Sequence, residues 1–220
     1  MNPLSCAGGF CHRAAHDHRK NLDHGRRSAG RQLAAGAAGL ESGFRPTHLI
    51  GIWRGGAPIG IAVQEFFEFH GASCDHIAIR TSSYTGIDAQ ADTVQVHGLG
   101  WLAETLRRDD RLLLVDDVFD TGRSLAAVLA ELDARCGEHR PADIRIACPW
   151  HKPGRNRTAL QPDYVLRQSE AWLVFPHELR GLTAAEIRAH KPAAELILAP
   201  VAAPISGAAP PRPADRGPIW

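Results

Sequence analysis

The chain has 220 residues, 44% of them apolar and 22% charged, which suits one domain with a real core and some extension. A net charge of +1 gives no bulk attraction to nucleic acid or to an anionic membrane, so neither is expected as a partner. No apolar run reaches membrane-spanning length and the N-terminus lacks the apolar centre of a signal peptide, so a soluble cytoplasmic protein is expected.

Residues 1–36 are compositionally biased. Arg13, Arg19, Lys20, Arg26, Arg27 and Arg31 are set against only Asp17 and Asp23, and long aliphatic side chains are scarce. Such a segment buries little and is expected to be poorly ordered, as a solvated basic tail. A shifted reading frame upstream of about Leu40 would leave the same bias. Cys6, Cys11 and His12 lack a second pair of ligands to make a zinc site, and the scattered Cys74, Cys136 and Cys148 read as reduced thiols. Order is expected to begin near Leu33–Gly43, as a helix weakened by Gly36 and Gly39.

Thr47–Trp53 (THLIGIW) reads as the first buried strand. Arg54-Gly55-Gly56 then makes a tight turn whose backbone N–H groups, with the Arg charge, suit an anion. Pro58–His70 reads as helix, with Ile61, Phe66 and Phe69 available for its inner face. His76–Thr81 (HIAIRT) is a second strand. Ser82–Gly98 follows as a polar loop with one strand-like stretch, TVQV, and a loop that long inside a domain is often a lid. Gly98-Leu99-Gly100-Trp101-Leu102-Ala103 imitates a dinucleotide-binding G-x-G-x-x-A. The preceding Thr93–Val96 is too short and polar for the central strand such a fingerprint requires.

Arg111–Leu125 (RLLLVDDVFDTGRSL) organises the rest of the chain. Leu112–Val115 is apolar throughout, as in a strand buried on both faces of a parallel sheet. Ser124–Cys136 is helical, with Leu125, Val128, Leu129 and Leu132 on one face. Asp116, Asp117 and the loop Asp120-Thr121-Gly122-Arg123-Ser124 therefore lie at a strand's carboxyl end, where open α/β sheets bind ligands. Thr121 and Ser124 offer hydroxyls, Gly122 permits close backbone approach, and the helix N-terminus favours a phosphate. Adjacent carboxylates repel unless relieved, either by the two O–H donors of a vicinal diol or by hydrated Mg²⁺. A nucleoside triphosphatase would need a Gly-Lys pair in a phosphate loop, and the chain has none.

Asp143–Cys148 (DIRIAC) is a further strand leading into Lys152-Pro153, and Tyr164–Leu166 and Trp172–Phe175 are short strands around a turn at Gln168–Glu170. Thr183–His190 should be a helix, because Thr183 and Glu186 stand at capping-box spacing. The Pro- and Ala-rich stretch 199–220 is expected to be a disordered tail.

Asp116-Asp117-x-x-Asp120-Thr121-Gly122-x-Ser124 after four apolar residues resembles the phosphoribosyl-pyrophosphate motif of type I phosphoribosyltransferases. Matching pieces run in family order over roughly Leu40–Ala199 and resemble the xanthine-guanine and hypoxanthine enzymes most. The resemblance implies an α/β fold: a central, mostly parallel sheet flanked by helices, in a domain over 37–198, with a small hood around 152–178. It implies transfer of a phosphoribosyl group from Mg²⁺-bound phosphoribosyl pyrophosphate to a 6-oxopurine, releasing pyrophosphate, in a homodimer or homotetramer. By the same resemblance Arg54, Gly55 and Gly56 bind pyrophosphate, and Ser83 and Tyr84 belong to a covering loop. Asp116 and Asp117 hold the ribose diol and Mg²⁺, Thr121, Gly122, Arg123 and Ser124 hold the 5-phosphate, and Asp120 sits beside purine N7. Lys152 points at the 6-oxo group, Trp172 stacks on the base, the Leu173 carbonyl lies near its 2-substituent, and Glu178 assists Mg²⁺. Arg123 is an added charge in the phosphate loop. Some regulators keep the motif, so a nucleotide- or phosphoribosyl pyrophosphate-sensing protein without turnover is the alternative.

Overall fold

The computed structural model describes residues 20–22, 25–84 and 93–199. The chain forms two compact units, Met1–Phe175 and Pro176–Trp220. The first opens with strand β1 (Lys20–Leu22) and helix α1 (Gly25–Glu41), then β2 (His48–Trp53), α2 (Gly56–Phe69), β3 (Asp75–Tyr84) and β4 (Thr93–His97). It continues through α3 (Gly100–Thr105), β5 (Arg111–Val115), β6 (Val118–Phe119), α4 (Arg123–Cys136), β7 (Asp143–His151), β8 (Tyr164–Gln168) and β9 (Trp172–Val174). The second unit holds α5 (Ala184–His190) and α6 (Ala194–Leu198). Thr183 caps α5 in a capping box with Glu186, as its spacing requires.

A seven-stranded sheet runs β4-β3-β2-β5-β7-β6, with β8 also paired to β7. Every pairing is parallel except β3 with β4. The apolar run of β5 is buried on both faces, as expected. Leu112 and Leu114 join Leu106, Leu125, Val128 and Leu132 on one side, while Leu113 and Val115 join Ile59, Val63 and Phe67 on the other. No helix among the described residues is long and apolar enough to cross a membrane.

Four expectations change. Helix α2 buries Ile59, Val63 and Phe67, with Phe66 half-buried, whereas Ile61 and Phe69 are 67% and 86% exposed. The helix is apolar on two sides, so periodicity alone does not choose its inner face. Ser82–Tyr84 are not loop but the end of β3, paired with Thr93–Gln95 of β4, and only 85–92 of the expected lid lie outside the described residues. Helix α1 starts at Gly25, ahead of Leu33, so the segment expected to be poorly ordered overlaps a helix; residues 1–19 lie outside the described residues. Nor do the α1 glycines simply weaken it. A methyl on Gly36 would sit 3.1 Å from a Phe66 ring carbon and one on Gly39 would sit 3.2 Å from Phe67 Cζ. These glycines let α1 lie close on α2. The glycine-rich fingerprint is a decoy: β4 is an antiparallel edge strand and α3 is short.

Candidate active site

The site follows from topology. Strands β2 and β5 are neighbours in parallel register, with His48 opposite Leu112 and Gly51 opposite Val115. The chain leaves them in opposite directions, through α2 to β3 and through α4 to β7, with the two helices on opposite faces. A crevice opens where the strand order reverses, outside the carboxyl ends of this pair. The turn Arg54–Gly56 forms one lip and Asp116–Asp117 the other.

The lips touch. A methyl group on Gly55 would overlap the Asp117 carboxylate, and one on Gly56 would overlap the Val115 carbonyl. Only glycine admits this approach. The Arg54 side chain is exposed at the mouth, and the Trp53–Arg54 peptide is cis. On the other lip, the Asp116 amide donates to the Ala147 carbonyl (3.1 Å) and the Asp117 amide donates to Asp116 Oδ1 (2.9 Å).

Burial, and then the Asp117 charge, push the Asp116 carboxyl well above its usual range. The same two carboxylates add to the effect of burial in raising the Cys148 thiol beneath them. At low pH Asp116 is neutral in folded and unfolded chains alike. As pH climbs through the raised value, the folded chain must either keep a proton or carry a strained charge, so this group's contribution to stability falls. Asp116→Asn keeps the acceptor used by Asp117 and is expected to raise the melting temperature at neutral pH but not near pH ~4. Thermal melts at both values check this; a variant that melts lower at neutral pH would refute it.

Among the described residues no three His, Cys, Asp or Glu side chains converge as a metal cage. A pair of adjacent carboxylates with one raised pKa fits a different donor set: a hydrated Mg²⁺ that arrives on a polyphosphate and takes most of its ligands from water and substrate.

The phosphate loop is shaped by Gly122, whose φ of 76° is left-handed. A methyl there would overlap Thr158 Oγ1. From Arg123 the chain turns directly into α4, with the Ala126 amide donating to the Gly122 carbonyl (2.9 Å) and the Arg123 amide reaching Thr121 Oγ1 (3.4 Å). Thr121, Arg123 and Ser124 therefore surround the positive end of a 14-residue helix.

The residues expected to face a base also gather here. The Lys152 amide donates to the Phe119 carbonyl (2.9 Å), which places Lys152 beside Asp120. Lys152 is 4% exposed, and its Nζ lies 6.0 Å from the centre of the Trp172 ring. Trp172 is 55% exposed, whereas Leu173 packs with Trp150 and Phe175 in a small cluster of its own. Ser83 and Tyr84 lie where β3 runs on past its pairing with β2, toward the same edge of the sheet. Glu178 belongs to the second unit, where its charge opposes the lowering of the Lys191 ammonium by burial.

Sequence reasoning missed the segment after Lys152. Arg155 Nε lies 2.9 Å from Asp120 Oδ1, and the Arg157 amide donates to the Thr121 carbonyl (3.0 Å). Asn156 Oδ1 accepts from the Thr158 amide and hydroxyl (2.9 Å each), bracing both residues against Gly122. The Asn-x-Thr spacing of a side-chain-closed turn was the available signal.

Residues 19–180 match the phosphoribosyl transferase domain. No protein of curated function matches the chain in sequence. A purine phosphoribosyltransferase from Pyrococcus horikoshii is similar at 27% identity and TM-score 0.57, over 74% of this chain and 97% of its own. A hypothetical protein from Neisseria gonorrhoeae with bound ppGpp shares the fold at TM-score 0.63 and 18% identity, over 76% and 93% of the two chains. Xanthine-guanine-hypoxanthine phosphoribosyltransferase from Helicobacter pylori shares it at TM-score 0.54 and 19% identity, over 78% and 99%. Because the domain match spans most of the chain and takes in both lips of the crevice, this protein belongs to the phosphoribosyl transferase domain family and is an enzyme of that class.

Proposed function

We propose that the enzyme transfers the phosphoribosyl group of phosphoribosyl pyrophosphate to a 6-oxopurine, releasing pyrophosphate, in cytoplasmic purine salvage. The observation that carries this reading is the buried Lys152 ammonium beside the exposed Trp172 ring, next to the acidic crevice. An ammonium only donates, so it suits the oxo group of hypoxanthine, guanine or xanthine and opposes the amino group of adenine. Trp172 offers a stacking face to any purine, leaving discrimination to the polar contacts. The likeness to the Pyrococcus enzyme supports a purine as acceptor.

The chemistry is stabilisation of separated charge. Positive charge develops at the ribose C1 as the pyrophosphate oxygen departs with the bonding pair, and the purine nitrogen then attacks C1. Arg54 and the amides of its turn hold the leaving pyrophosphate. Asp116 and Asp117 would hold Mg²⁺ carried on the substrate, which would supply further positive charge there. Asp116 and Asp117 accept from the ribose hydroxyls, while Thr121, Gly122, Arg123 and Ser124 hold the 5-phosphate at the helix end. Asp120 takes or shares the N7 proton of the base, and the Leu173 carbonyl reads the 2-position. The family resemblance gives Ser83 and Tyr84, at the end of β3, the part of covering the substrate against the water that would compete by hydrolysis.

Pyrophosphate release is measured with purified protein, Mg²⁺ and phosphoribosyl pyrophosphate, testing each purine separately. Release with a 6-oxopurine but not adenine, strongly reduced but still measurable in Asp120→Asn, is the expected result. Tight phosphoribosyl pyrophosphate binding without release for any base would replace the reading with that of a sensing regulator.

The active form is proposed to be a dimer or a higher assembly built on it. Parallel strands are ordinarily covered on both faces, yet Ala78 of β3 is exposed beside Trp53 (56%) and the outer α2 stripe of Ile61 and Phe69. A groove of about 330 Å³ runs between Trp53, Ala57, Ile61 and Ala78. A second copy of this chain would bury that face. Light scattering should give a multiple of 23.8 kDa for the wild type and 23.8 kDa for an Ile61→Asp, Phe69→Asp double variant. A monomeric wild type would end the idea.

A further inference from the structure

One contact at the base side is not used by the reaction as described, the ion pair of Asp120 with Arg155. Asp120 Oδ1 lies 2.9 Å from Arg155 Nε, yet this oxygen is closed off from solvent and makes no hydrogen bond of good geometry. Both side chains reach water elsewhere, at 32% and 48% exposure, so the pair adds little to stability. Its consequence is orientation.

The chain around the pair is built to deliver that orientation. On one side of Asp120 the Lys152 amide holds the Phe119 carbonyl (2.9 Å), and on the other the Arg157 amide holds the Thr121 carbonyl (3.0 Å). Between these two links a single 3-10 turn, Pro153–Arg155, brings the guanidinium to the carboxylate. The turn is itself fastened. The Arg155 amide donates to the Lys152 carbonyl (3.0 Å) and the Gly154 amide donates to Glu170 Oε1 (2.8 Å). A methyl on Gly154 would sit 3.1 Å from the same Glu170 oxygen, so the turn approaches it closely. Glu170 lies in the β8–β9 connection, two residues before Trp172. One segment thus ties the stacking ring's own loop to the carboxylate beside the base.

We infer that Arg155 is a positioning residue: it engages one oxygen of Asp120 and so presents the other to the purine, while Glu170 fixes the turn that carries it. The inference rests on the proposed reading of Asp120 as the base-side carboxylate. A guanidinium suits this task because it is permanently charged and its N–H groups point in fixed directions, so its hold on one oxygen is directional as well as neutralising. An ammonium would keep the charge and lose the orientation.

The test is steady-state kinetics of the full chain with Arg155→Ala, Arg155→Lys, Glu170→Gln, Asp120→Asn and the Asp120→Asn, Arg155→Ala pair. Arg155→Ala is expected to lower kcat roughly ten- to a hundredfold with little change in KM for phosphoribosyl pyrophosphate. Arg155→Lys should recover part of the loss, Glu170→Gln should show a smaller loss, and added guanidinium ion should partly restore Arg155→Ala. On the Asp120→Asn background, Arg155→Ala should have no further effect, because its partner is gone. Full activity in Arg155→Ala or Arg155→Lys, or losses at the two positions that simply multiply, would overturn the inference and leave the reading of Asp120 standing. Wild-type activity in Asp120→Asn would overturn both. Arg155→Lys keeps stem and charge, so it carries the comparison even where Arg155→Ala folds poorly.

Discussion

Gly55→Ala is expected to lower kcat/KM by about a hundredfold or more while leaving the melting temperature close to that of the wild type. The added methyl would occupy the place of the Asp117 carboxylate. The clash is with a side chain and not with backbone, so the fold accommodates the methyl by turning the carboxylate out of the crevice. What is lost is the alignment of the anion-binding turn against the acidic pair. Gly56→Ala makes a useful contrast, because its methyl would meet the Val115 carbonyl, and backbone cannot rotate away. Gly56→Ala should therefore lose both activity and stability. Kinetics with thermal melts on the two variants separate the cases, and near-wild-type activity in Gly55→Ala would show that the lips need not meet.

The second large effect concerns the choice of base. Lys152→Gln is expected to reduce the preference for a 6-oxopurine over adenine by on the order of a hundredfold. Lys152 is almost wholly buried and offers only donors, so an amino group opposite it leaves two donors facing each other. A glutamine amide can turn over and accept instead. Competition between hypoxanthine and adenine for pyrophosphate release measures the change. An unaltered preference would move discrimination away from Lys152, to backbone groups near Leu173.

These variants rest on parts of the molecule that differ in how openly the sequence shows them. The strand, acidic pair, loop and helix from Arg111 to Cys136 were legible because local rules agree there: an apolar run, a glycine that needs a left-handed φ, and a helical stripe. Helix α2 was legible as a helix but not in its orientation, since Ile59–Val63–Phe67 and Ile61–Phe69 are both apolar stripes and only the neighbouring strands decide between them. The opening of the chain was hidden by composition. Arg- and Gly-rich sequence reads as unstructured, while the contacts that give α1 its place, Gly36 on Phe66 and Gly39 on Phe67, are long-range and leave no local trace. The pairing of Arg155 with Asp120 was hidden in the same way, being a contact between the ends of two strands.

Strand β1 pairs in parallel with β9, Lys20 opposite Trp172, so the base-side sheet joins the two ends of the first unit. The two lips of the crevice and the Thr121–Ser124 loop, by contrast, come from the chain between β2 and α4, with Ala147 and Arg157 bonding to them from beyond it. A nascent polypeptide emerging from the ribosome would have the parts proposed to hold phosphate available early and those proposed to face the purine last, after the longest loop closure in this unit. Any tag or trimming at the N-terminus acts on that late step, so a preparation altered there is expected to lose the β1–β9 pairing and the proposed purine selectivity before the Arg54–Asp117 crevice.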